Sequence, residues 1–142
     1  MEQNYKNHAR LVKGYHGILA LLILTGFIGS LFNLCGSWNN ESLYSASLIT
    51  LLFVCCIMLF WFTRSFPLKA QDRAIRSEEN FRHFILTGKP LPSELKIGQI
   101  IALRFASDQE FQNLVQRAIT DKLDSKSIKL AIQNWKPDYY RV

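Results

Sequence analysis

Two long apolar stretches dominate the first half of the chain. From Tyr15 to Cys35, and again from Leu43 to Thr63, there is no Asp, Glu, Lys or Arg. Each stretch, about 21 residues at about 1.5 Å rise per residue, reaches roughly 31 Å as a helix, the thickness of a bilayer's hydrocarbon layer. Eleven Leu, Ile, Phe or Val side chains in each make insertion favourable by roughly a few kcal/mol. The link Gly36 to Ser42 is short and polar, so the pattern predicts a hairpin of two transmembrane helices.

Beyond Phe66 the pattern changes from unbroken apolar runs to helical periodicity. Leu68 to Leu86 is predicted as an amphipathic helix with Pro67 in its first turn, stopped by Gly88 and Pro90-Leu91-Pro92. Lys69, Asp72, Arg73, Arg76, Glu79, Asn80 and His83 share one side of its wheel and Ala74, Phe81, Phe84 and Ile85 the other, which is expected to be the dry face. Leu95 to Ala106 is apolar nearly all round but too short to span a membrane, so it is expected at the centre of a soluble core. Ser107 and Glu110 match the capping box ahead of Phe111, Leu114, Val115, Ala118 and Ile119 at helical spacing. A last helix starts at Asp124 or Ser125. It buries Ile128, Ala131, Ile132 and Trp135, shows Lys126, Lys129, Gln133 and Lys136 on its other side, and stops before Pro137.

The fold class expected is therefore all-α: residues 1–14 as an N-terminal arm, 15–63 as the transmembrane hairpin, and 64–142 as a small cytoplasmic helical domain. Charge sets the orientation. The chain has 17 Lys and Arg against 11 Asp and Glu, but Gly14 to Thr63 carries only Glu41. Lys6, Arg10 and Lys13 precede the first span, and Arg64, Lys69, Arg73 and Arg76 follow the second. The positive-inside rule then places both termini in the cytoplasm. Tyr15, Phe60, Trp61 and Phe62 supply an inner aromatic belt; Phe32, Trp38 and Tyr44 supply an outer one. A cleaved secretory signal is disfavoured because no small-x-small site follows the first apolar run.

Within the hairpin, Gly26 with Ser30 and Ala46 with Thr50 are small residues spaced by four. They let the helices approach, with hydroxyls or Asn33 bonding across. A pair that is tight near its loop and splayed in its bulkier inner halves is expected. Asn33 and Thr50 could instead line a substrate path, but two helices enclose no pore.

Candidate chemistry is sparse. Cys55 and Cys56 are adjacent and point about 100° apart on a helix, which suits packing and not a shared metal. Glu79 and His83, four apart, offer half of a metal site without a second pair to complete it; His8 and His16 are the other histidines that could approach. No phosphate loop, zinc motif or nucleophile elbow is present. No catalytic residue, cofactor or metal is assigned. Arg104 is a charge inside an apolar helix and is expected to pair with a carboxylate such as Asp108 or Glu110. From Arg64 onward, 14 Lys and Arg face 9 Asp and Glu. That surplus is spread over several helices, so nucleic acid is not the expected partner; membrane lipids, and a protein partner or self-association, are.

The strings E-Q-N-Y-K-N-H-A-R at Glu2 to Arg10, Q-D-R-A-I-R-S-E-E-N-F-R-H-F at Gln71 to Phe84 and I-G-Q-I-I-A-L-R-F-A-S-D at Ile97 to Asp108, with the closing Arg141 and Val142, resemble a bacterial family of small two-span membrane proteins, a domain of unknown function. The resemblance covers essentially the whole chain. It implies a bacterial inner membrane location and carries over no catalytic residues.

Because these strings lie on the side assigned to the cytoplasm, Tyr5, His8, Arg73, Arg76, Glu79, Arg104, Tyr139, Tyr140 and Arg141 are expected to form one composite surface for a protein partner or lipid headgroup. The leading reading is a membrane-anchored helical interaction module or accessory subunit. A lipid-sensing or transport-accessory protein, and a membrane-interface enzyme built on Glu79 and His83, are the alternatives.

Overall fold

The computed structural model describes Tyr5 and residues 11–138. Five α-helices and a short π-helical stretch make up the described residues, which contain no strand. The chain divides into two compact units, one of Leu11–Phe66 and one from Pro67 onward.

In the first unit a π-helical stretch, Gly14–Leu19, runs directly into α1, Ala20–Gly36, and a turn leads into α2, Leu43–Thr87. Both helices are long and apolar enough to cross a membrane, and only 6% of the most apolar window of each is buried by protein. Three contacts pair them in antiparallel order. The Thr50 hydroxyl, which also bonds the Ala46 carbonyl, lies 3.3 Å from the carbonyl of Ser30. Gly26 lies so close to the Phe53 ring that any added Cβ would overlap it. Tyr15 stacks on Phe60, ring centroids 4.4 Å apart and planes within 8°, and its hydroxyl donates to the Phe60 carbonyl and sits 3.0 Å from the Thr63 hydroxyl.

Ser30 and Ala46 are buried in this contact, whereas Asn33 is exposed and does not bond across. Toward the inner halves, where the side chains are bulkier, the Tyr15 ring bridges the helices at Phe60. Apolar residues such as Leu22, Phe32, Leu52 and Trp61 point away from the pair.

The second span and the amphipathic segment are expected as separate helices, but they are one. Helix α2 continues through Pro67 to Thr87. Proline removes one N–H donor and crowds the carbonyl four residues back. Here hydroxyls flank it: Thr63 donates to the carbonyls of Leu59 (2.7 Å) and Phe60 (3.1 Å), and Ser65 to that of Phe62. These hydroxyls serve carbonyls of the preceding turn, whereas the carbonyl that loses its helical donor to Pro67 is that of Thr63. The helix stops at Gly88, whose φ of +71° is a left-handed conformation open to glycine.

The second unit packs the end of α2 against α3 (Ile97–Leu103), α4 (Asp108–Thr120) and α5 (Ser125–Ala131). Its core joins Ile75 of α2 to Leu95, Ile100, Leu103, Phe111, Leu114, Val115 and Ile128, with Ala102, Ala106 and Ala118 completing it. The segment around α3 is its centre, as its all-round apolarity predicts. Gly98 permits close approach to α5, since a Cβ there would come within 2.8 Å of the Ser125 hydroxyl. Gln99 ties α3 to the end of α4 through the carbonyls of Leu123 (2.7 Å) and Ala118 (3.3 Å).

Both predicted helix starts are present. Ser107 and Glu110 form the capping box of α4, and Asp124 accepts from the Ser127 N–H at 2.7 Å to cap α5. Helix α5 is shorter than its periodicity predicts, ending at Ala131. The reason is tertiary: the N–H groups of Gln133 and Asn134 donate to the Glu110 carboxylate, each at 3.0 Å. Ser107 N–H donates to the Asn134 carbonyl and Lys136 N–H to that of Phe105 at 2.7 Å. Ala106 and Trp135 form an isolated antiparallel bridge, and the Trp135 ring stacks on Phe105 at 4.8 Å. These bonds satisfy the backbone of the chain's last turn outside a helix.

Candidate functional site

The segment of α2 beyond Pro67 carries three features side by side: a buried polar knot, an open pocket and an exposed apolar face. Which residues fall on which side reverses the expectation from the wheel. Ile75, Glu79 and His83 are buried, at 3%, 7% and 7% exposure, whereas Phe81, Phe84 and Ile85 are 65%, 52% and 66% exposed. Glu79 and His83 can face the core because they find partners there, while Lys69, Arg73 and Arg76 of the same side stay exposed.

Arg82 makes this possible. Its Nε donates to Asp108 Oδ1 at 2.7 Å, its Nη1 to Glu79 at 3.1 Å and its Nη2 to the Ala106 carbonyl at 2.7 Å. The guanidinium also lies over the Phe111 ring, 4.3 Å from its centroid. Helix α2 is thereby bound at one point to the turn before α4, to the first residue of α4 and to the core. Burial pushes the Glu79 carboxyl above the usual carboxylate range, while Arg82, and to a lesser degree Lys136 and Arg104, pull it back.

His83 turns the other way. Its Nδ1 is 2.8 Å from the Lys89 carbonyl and 3.2 Å from the Thr87 hydroxyl, which bonds in turn to the carbonyls of His83 and Lys89. A carbonyl at that distance requires a proton on Nδ1. Glu79 and His83 thus serve separate structural bonds, one inward to Arg82 and one to the turn that closes α2. Among the described residues no three His, Cys, Asp or Glu side chains gather to hold a metal ion.

Arg104 is paired, but with neither carboxylate its position in the sequence suggests. Asp108 is engaged by Arg82 and Glu110 by the chain at 133–134. The Arg104 Nη2 reaches Asp138 at 2.7 Å instead, and its guanidinium stands 5.0 Å from the Phe105 ring centroid.

Of the expected composite surface, Arg73 and Arg76 are exposed, Glu79 and Arg104 are turned into the unit, and Tyr5 is half-buried in a turn. His8, Tyr139, Tyr140 and Arg141 lie outside the described residues. Arg73 and Arg76 are brought together in an open pocket of about 420 Å³, whose lining is completed by Ser77, Asn80, Leu91, Pro92 and Ile100. Asn80 is fixed by accepting the Leu91 N–H at 2.8 Å. Sequence reasoning gave no role to Arg82, although its position three residues after Glu79 is an ion-pair spacing on a helix. It did single out Phe81, Phe84 and Ile85, but for the interior.

A family model described as a family of unknown function, DUF6526, matches residues 1–142. No curated protein and no solved structure matches the chain.

Proposed function

The chain belongs to DUF6526, a family of unknown function, and from its own architecture we propose that it is a membrane-anchored interaction module. Helix α1 and the first half of α2 span a bacterial cytoplasmic membrane with both termini in the cytoplasm, and the unit from Pro67 onward presents a docking face to another subunit anchored in the same membrane. The charge-free link and the basic residues on either side of the spans support that orientation.

The observation that carries the reading is the exposure of Phe81, Phe84 and Ile85. A folded unit that has buried Ile75 and has tied up its buried charges leaves two phenylalanines and an isoleucine of the same helix in the open. Contiguous exposed apolar surface of this kind marks a contact face. Three such side chains offer roughly 300 Å², well short of the roughly 800 Å² per partner of a stable interface formed from solution. Confinement of both partners to one bilayer supplies the effective concentration that so small a face lacks. The face also belongs to the helix that forms the second span, which favours a partner held in the same membrane.

The test is co-purification of tagged full-length protein from native membranes in mild detergent. Phe81→Ser with Phe84→Ser is expected to remove a stoichiometric membrane-protein partner while leaving the protein membrane-bound and folded. The exposed polar pair Gln112→Ser with Asn113→Ser on α4 should leave the partner in place. Retention of the same partner by the phenylalanine variant contradicts the reading.

A further inference from the structure

The pocket beside the apolar face contains spare hydrogen-bond donors and no carboxylate. Arg73 and Arg76 sit three apart on α2, on one side of the helix, and both line it together with Ser77 and Asn80. Among the described residues neither guanidinium is engaged in an ion pair. The contrast with the rest of the unit is sharp: Arg82 is held by Glu79 and Asp108, and Arg104 by Asp138. Ser77 adds a hydroxyl to the lining. Asn80 spends its carbonyl oxygen on the Leu91 N–H and so turns its NH2 group to other acceptors.

We infer that this pocket is a binding site for a phosphoryl group, with Arg73 and Arg76 as its charged donors and Ser77 and Asn80 as its neutral ones. A phosphoryl group has enough acceptor oxygens to take several donors at once, and the guanidinium fork matches it two bonds at a time. The opposite wall, Leu91, Pro92 and Ile100, is apolar. The ligand is therefore a phosphate ester whose organic part rests on that wall. A volume of about 420 Å³ falls within the range of small-molecule sites. Ile100 also belongs to the core, so an occupied pocket would bear on the packing of α3 against α2. A phosphate ester can be a water-soluble metabolite or a phospholipid headgroup, and the chemistry of the site is shared by both.

The experiment titrates purified full-length protein in neutral detergent with glycerol phosphate in one arm and short-chain phosphatidic acid in the other, at constant ionic strength, followed by calorimetry. Saturable binding is expected in at least one arm. Binding should weaken by about tenfold or more in Arg73→Gln and again in Arg76→Gln, and remain unchanged in Arg117→Gln, an exposed arginine of α4. Binding only of glycerol phosphate identifies a soluble ester as the source, binding only of the lipid identifies a headgroup, and either supports the site. No saturable binding in either arm, or binding indifferent to both pocket arginines, overturns it. The Phe81→Ser, Phe84→Ser protein should bind as the parent does, so loss of a protein partner and loss of this site are separate results.

Discussion

The two units solve opposite problems with the same element. In Leu11–Phe66 the small residues Gly26, Ser30, Ala46 and Thr50 meet between the helices, while Leu22, Phe32, Leu52 and Trp61 face outward. In the unit from Pro67 onward Phe111, Leu103 and Ile128 face inward and most charges face out. Helix α2 runs through both. An apolar exterior is stable only where the surroundings are also apolar, and that contrast is what supports the proposal of a chain built for two solvents. The exception is the Phe81, Phe84, Ile85 face, where the water-facing unit behaves like the other one.

Substitution in the core of the second unit should have the largest effect. Phe111→Ala removes a fully buried ring on which Arg82 also rests, and should cost about 3–5 kcal/mol of stability. Leu52→Ala, in the outward face of α2, should cost less than about 0.5 kcal/mol in detergent. Thermal unfolding of the full-length protein followed by circular dichroism compares the two; equal losses would mean that Leu52 is packed against protein.

The next largest effect belongs to Arg82. Arg82→Met leaves the Glu79 carboxylate and the Ala106 carbonyl without their nearest donor and should destabilise the unit by about 3 kcal/mol. Adding Glu79→Gln to that variant should recover part of the loss, because a neutral amide is easier to bury. If the double variant is as unstable as the sum of both single ones, the two groups act independently and the knot is misread.

A smaller effect depends on pH. Burial raises the Glu79 carboxyl above its ordinary value of 4.5, so the folded unit holds that proton more tightly than the unfolded chain. The stability this contributes is full below 4.5 and is lost as pH rises through the raised value. The unfolding midpoint of the parent relative to Glu79→Gln should therefore fall as pH rises from 4.5 through the raised value and then level off. A difference that rises with pH in that window would mean that the Arg82 attraction outweighs burial.

How much of this was legible in the chain divides along the same line. The apolar helices, the Ser107–Glu110 box, the Asp124 cap and the Phe111, Leu114, Val115, Ala118 stripe are set by neighbours within about one turn, and all could be read directly. The orientation of the Leu68–Leu86 segment could not. Both of its sides carry material that can be buried, and the decision rests on Asp108 and the Ala106 carbonyl, more than twenty residues away. The Arg104–Asp138 pair and the early end of α5 are non-local in the same way: Glu110 caps α4 as its spacing predicts and also clasps residues 133–134. Pro67 stands where a boundary is expected, because proline usually ends or opens a helix, yet α2 runs through it. Of the candidate site, Arg73 and Arg76 were visible as positive charge following a span. That they share a pocket with Ser77, Asn80 and Leu91 depends on the turn after Gly88 folding back onto α2.

The claim of two solvents is tested most directly by cysteine accessibility. In full-length protein with Cys35, Cys55 and Cys56 replaced by Ala, Asn39→Cys in the link between the spans and Lys122→Cys after α4 are probed in intact cells with a membrane-impermeant maleimide. The account predicts labelling of Asn39→Cys in intact cells and of Lys122→Cys only after the membrane is opened. Equal labelling of the two positions in intact cells would contradict it.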